Sequence, residues 1–104
     1  MFFFWRINKI IDEFATSLAD ELYSQVTPEM LESANKKKEK KISKQWNKQV
    51  DTIILKIMEF KHTHGLGIYR KARLHQTFMN RLEIHGFSKK LVKELNEHLL
   101  LKTP

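Results

Sequence analysis

The chain has no cysteine, and only three glycines and two prolines among its 104 residues. The lack of cysteine excludes disulfides and thiolate metal sites. The scarcity of glycine and proline leaves few places where the backbone can turn sharply, so the elements must be few and long. Long apolar runs are also missing: Met1-Phe2-Phe3-Phe4-Trp5 is followed at once by Arg6. A signal peptide needs a basic stretch and then about 7–15 apolar residues, and a membrane-spanning helix needs about 20. Neither pattern occurs, which predicts a soluble, cytoplasmic protein. Acidic residues are in deficit, 12 Asp and Glu against 19 Lys and Arg, for a net charge of +7. No glycine-rich phosphate loop, nucleophile elbow, metal-protease helix pair or paired-carboxylate motif appears. A small, glycine-poor helical chain also has little room for a water-excluding pocket. No enzymatic activity, cofactor or metal site is expected.

What is present is a helical pattern. Leu, Ile, Val and Phe supply 31 of the 104 residues, too many for a disordered chain and enough for one modest core. The expectation is an all-α fold, a single domain over 1–104 with about four helices, one of them long, and a C-terminal helical hairpin. In an acidic first helix over 3–24, Phe4, Ile7, Ile11, Phe14, Leu18 and Leu22 recur at steps of three and four. Thr27-Pro28-Glu29 starts another helix, with Thr27 a cap and Pro28 at the first helical position. Two readings compete for the basic stretch 28–62: one long helix, or a short helix to about 34, a lysine-rich linker, and a helix from about 42. Lys, Glu and Ala favour the long helix; like-charge repulsion opposes it. From Ile42 onward, Ile42, Trp46, Val50, Ile53 and Ile57 share one side. Gly65 reads as a left-handed cap. The hairpin, 67–100, has an inner face of Ile68, Ala72, His75, Met79 and Leu82, a turn at His85-Gly86-Phe87, Ser88 as a cap, and a stripe of Leu91, Val92, Leu95 and Leu99.

Charge is unevenly distributed. Residues 1–33 carry two basic and six acidic side chains, and residues 34–104 carry seventeen and six. A basic remainder of this kind points to a polyanion, with nucleic acid the default partner. Two helix faces could meet it. Lys37, Lys41, Lys44 and Lys48 lie opposite the apolar stripe and could neutralise phosphates by charge alone. Arg70, Arg73, Thr77 and Arg81 share a face of the third helix, where planar guanidinium forks suit phosphates and base edges; the alternative there is arginines paired with acids of the first helix. The rival reading is a protein-interaction module that meets an acidic protein surface and forms a homodimer through Phe2, Phe3 and Trp5. These adjacent aromatics cannot all face one core, although Trp46 could cover some of them. Asp12 with Asp20, and Glu13 with Glu21, read as solubilising surface. His75 reads as a hydrogen-bonded core histidine, and His62, His64, His85 and His98 form no metal-ligand spacing.

Two local likenesses belong to the hairpin. The two helices and glycine turn of 66–101 resemble a helix–turn–helix in outline, with Arg81 and His85 standing where small or apolar residues are expected. Leu82, Gly86-Phe87, Leu91 and Leu95 resemble part of a ubiquitin-associated domain over about twenty residues. That family needs a further helix after the position of Leu101, so its function is not carried over.

Overall fold

The structure, a computed structural model, describes residues 2–33 and 35–104, with side chains from Arg6 onward. It is all-α. Four long helices, α1 (Phe2–Gln25), α3 (Lys36–His64), α4 (Ile68–Ile84) and α5 (Lys89–Lys102), are joined by short connections, and the six-residue α2 (Pro28–Ser33) precedes α3. Among the described residues no helix is long and apolar enough to cross a membrane.

The connections obey local chemistry. Thr27 Oγ1 accepts the Met30 N–H at 3.2 Å and caps α2. Asn35, with extended backbone, accepts the Lys38 N–H at 3.0 Å and caps α3. The lysine run is therefore helical, as the long-helix reading had it, but the long helix begins at Lys36 and not at Pro28. Asn is among the strongest N-cap residues, because its side chain satisfies a backbone donor that the first turn leaves unpaired. Gly65 ends α3 at φ 54°, ψ 50°, the left-handed conformation that costs a residue with a Cβ about 1–2 kcal/mol. Ser88 caps α5 by accepting the Leu91 N–H at 3.2 Å.

The most extensive helix–helix interface is between α1 and α4. Ile11, Ala15, Leu18 and Leu22 of α1 and Leu74, Phe78 and Leu82 of α4 are buried in a core shared with Val50, Ile53, Ile57, Val92, Leu95 and Leu99. The alanines at 15 and 19 are fully buried and let α4 approach α1 closely. The buried stripe of α4 is rotated from the expected one: Ile68 is 89% exposed and Ala72 is exposed, while Leu74 and Phe78 are inside. Trp46 packs toward Phe87, with ring centroids 6.2 Å apart. Phe2, Phe3 and Trp5 lie outside the residues whose side chains are described.

The chain measures 52 × 23 × 20 Å. Much of that length belongs to α3, whose 29 residues span about 43 Å at 1.5 Å per residue. The first buried residue of α3 is Val50, and residues 36–41 are exposed throughout. The lysine-bearing end of α3 is thus the part of the helix least covered by the bundle.

Candidate functional site

The two basic faces have different surroundings. On α4, Arg73 grips Asp12 of α1 in a two-point fork, Nε to Oδ1 at 2.9 Å and Nη2 to Oδ2 at 2.8 Å. Thr77 Oγ1 donates to the same Oδ1 at 3.3 Å. Arg81 Nε donates to Asp20 Oδ1 at 2.9 Å, and His85 Nε2 lies 2.5 Å from that oxygen. The Arg73 hydrogen bonds and charge hold the Asp12 carboxyl below the usual carboxylate range, and Arg81 with His85 does so for Asp20. Arg70 is also engaged in an interaction. Arg73, Thr77 and Arg81 therefore belong to the seam between α4 and α1. Asp12 and Asp20 are its counter-charges and not solubilising surface, and His85 belongs to the seam, with Tyr23 stacked on its ring at 4.2 Å.

The register of this seam explains it. Asp12 and Asp20 stand eight residues apart, and so do Arg73 and Arg81. The pairs form in the same order along both helices, so α1 and α4 run parallel and the two acid–arginine rungs are separated by about 12 Å. Equal spacing of an acidic pair and an arginine pair was the available sequence signal.

On α3 the situation is the reverse. Lys37, Lys41, Lys44 and Lys48 are all exposed. At 100° per residue they occupy a sector of about 60°, opposite Val50, Ile53 and Ile57, and extend about 16 Å along the axis. Lys36, Lys38 and Lys40 crowd the same end. Among the described residues, none of these seven lysines forms an ion pair, whereas Lys56, Arg73, Arg81 and His85 do. Glu39, the acid within the run, projects to the other side of the helix.

A third polar cluster was not foreseen. Lys61 is only 8% exposed and His75 only 3%, and Lys61 Nζ lies 3.0 Å from His75 Nε2. His75 Nδ1 lies 3.0 Å from Asn96 Oδ1, so His75 is a hydrogen-bonded core histidine. The missed signal for Lys61 is its place four residues beyond Ile57, in line with the buried stripe of α3. Among the described residues no group of three or more His, Cys, Asp or Glu could hold a metal ion. Comparison with protein-family models, curated proteins and solved structures finds no match for this chain.

Proposed function

We propose that this protein binds nucleic acid through the lysine face of α3, by phosphate neutralisation and without reading base sequence. The observation that carries the reading is the division of the basic residues. Asp12 and Asp20 of α1 compensate Arg73 and Arg81 of α4 within the molecule, whereas Lys37, Lys41, Lys44 and Lys48 are exposed and form no ion pair among the described residues. Lys36, Lys37 and Lys38 also occupy the first turn of α3, where the helix dipole already places partial positive charge. Such a local conflict weakens the helix start and is relieved when a phosphate binds there. A cytoplasmic location, where nucleic acid is accessible, belongs to the same reading.

The test is fluorescence anisotropy with labelled duplex DNA, single-stranded DNA and RNA across a salt series. If about six phosphates are engaged, the log–log slope on duplex DNA is near −5. The charge reversal Lys37→Glu, Lys41→Glu, Lys44→Glu should abolish binding, and Arg73→Ala should leave it within about twofold while lowering stability. Binding that survives the lysine reversal overturns the proposal. The second reading, an acidic protein partner with homodimerisation through Phe2, Phe3 and Trp5, draws on Leu55 and Met58, which are 68% and 49% exposed and continue the outer face of α3. It predicts that replacing Phe2, Phe3 and Trp5 by Ser dissociates an oligomer in sedimentation experiments, with the lysine reversal leaving that oligomer intact.

A further inference from the structure

The Lys61 cluster joins three helices. Lys61 comes from the last turns of α3, His75 from α4 and Asn96 from α5, and the segment after α5 contributes Thr103, which is 2% exposed. The Lys61 ammonium has three N–H donors and no acceptor. All three are used: on His75 Nε2 at 3.0 Å, on the Thr103 carbonyl oxygen at 2.5 Å and on Thr103 Oγ1 at 3.1 Å. Because an ammonium only donates, His75 Nε2 must accept. The imidazole is therefore neutral with its proton on Nδ1, which donates to Asn96 Oδ1 at 3.0 Å.

This arrangement tolerates one positive charge, not two. The other cation nearby is Lys71, whose Nζ lies 3.4 Å from the Pro104 carbonyl oxygen and whose charge acts on Lys61. His62 shares the adjoining cavity. Among the described residues no carboxylate is hydrogen-bonded to Lys61 or His75. Placing a proton on His75 Nε2 would set two donors and two charges 3.0 Å apart between two buried side chains, where like charges repel more strongly than in water. There is room for the lysine to leave: a cavity of about 360 Å³ adjoins it, lined by Met58, Lys61, His62, Leu66, Lys71 and Thr103 among others.

We propose that Lys61, His75 and Thr103 form an acid-released latch: protonation of His75 at Nε2 expels the Lys61 ammonium into the adjoining cavity and frees Thr103, loosening the end of α5 from α3 and α4. Burial, and then the Lys61 charge, lower the His75 proton affinity below that of a free histidine, so the latch opens on the acid side of the ordinary histidine range. Opening at Thr103 matters because its N–H donates to the Leu99 carbonyl at 2.8 Å and its hydroxyl to the same oxygen at 2.7 Å. Losing Lys61 removes the hydrogen bonds that α3 gives to this segment among the described residues.

The test uses the full chain in solution NMR between pH 7.5 and 4.5, a window in which Asp12 and Asp20 remain ionised. The His75 ring signals report its titration, and hydrogen exchange of the Thr103 amide, corrected for the intrinsic rate, reports opening. As His75 titrates, the open population at Thr103 should rise by up to about tenfold per pH unit. His75→Gln keeps an acceptor for Lys61 but cannot gain a proton, and should leave Thr103 protection flat across the range. Lys61→Met removes the opposing charge, and His75 should then titrate at higher pH. His75 titrating with Thr103 protection unchanged, or the same loss of protection in His75→Gln, overturns the proposal. Should His75→Gln not fold, Lys61→Met decides: an unmoved His75 titration overturns it.

Discussion

Asp12 receives Arg73 at both carboxylate oxygens and Thr77 at one of them, yet its side chain remains 38% exposed. Solvent screening limits such a pair, and the fork geometry favours it. A double-mutant cycle with Asp12→Ala and Arg73→Ala, followed by urea denaturation, should return a coupling of about 0.5–1 kcal/mol. The pH dependence has a definite sign. Folding lowers the Asp12 and Asp20 carboxyls below their ordinary value of 3.8. Their contribution is therefore present above that value and is lost as pH falls through the lower folded values. The acid loss should be smaller in Asp12→Ala than in the parent chain. At this scale the spacing of Arg70, Arg73, Thr77 and Arg81 puts them on one face of the helix. What that face meets is hinted at by the equal eight-residue spacing of Asp12 and Asp20 and of Arg73 and Arg81, but Asp12 and Arg73 are 61 residues apart and only the fold sets their register. Lys61 escaped notice for a similar reason. A lysine on an apolar stripe reads as an interruption until its three acceptors are known.

The start of α3 concentrates the conflict between stability and charge. Asn35 caps it, and Lys38 stands at the third helical position, where Glu or Gln would reach back to the cap residue's N–H and complete a capping box. Lys38→Glu should accordingly stabilise the first turns of α3 by about 0.5–1 kcal/mol through the box and the dipole together. Amide exchange over residues 36–41 would slow. The nucleic acid binding proposed for this end should weaken in the same variant, which separates its charge from its helicity. A loss of protection at residues 36–41 would contradict the argument. The elements themselves were largely readable. Apolar steps of three and four marked α1, the second half of α3, and α5, and Thr27, Gly65 and Ser88 marked boundaries. The face of α4 was misjudged, because Ile68, Ala72, His75, Met79 and Leu82 also fit a helical period. Two rungs to α1 turn the helix so that Leu74 and Phe78 are buried instead. Lysine repulsion did not melt residues 36–41, because exposed lysines spread their charge into water and keep good helix propensity.

At the scale of the whole molecule, a net charge of +7 is carried by a bundle that buries the cation of Lys61. Lys61 has neutral acceptors and a cationic neighbour, Lys71, in place of a counter-ion. Burial, and then Lys71, lower its pKa from 10.5 to about 8. The unfolded chain therefore binds more protons than the folded one between about pH 8 and 10.5, and stability must rise with pH across that window. The gain is bounded at about 3 kcal/mol by the size of the shift. Below the window the buried ammonium is a net cost that its three hydrogen bonds offset only in part. His75 acts in the same direction at lower pH: its lowered proton affinity makes stability fall as pH drops through the ordinary histidine range. Urea midpoints measured from pH 5 to pH 10 should thus climb in two steps. Lys61→Met should erase the upper step, and its lower step should shrink because His75 no longer faces a cation. A profile flat above pH 8 in the parent chain would mean that Lys61 stays hydrated in solution.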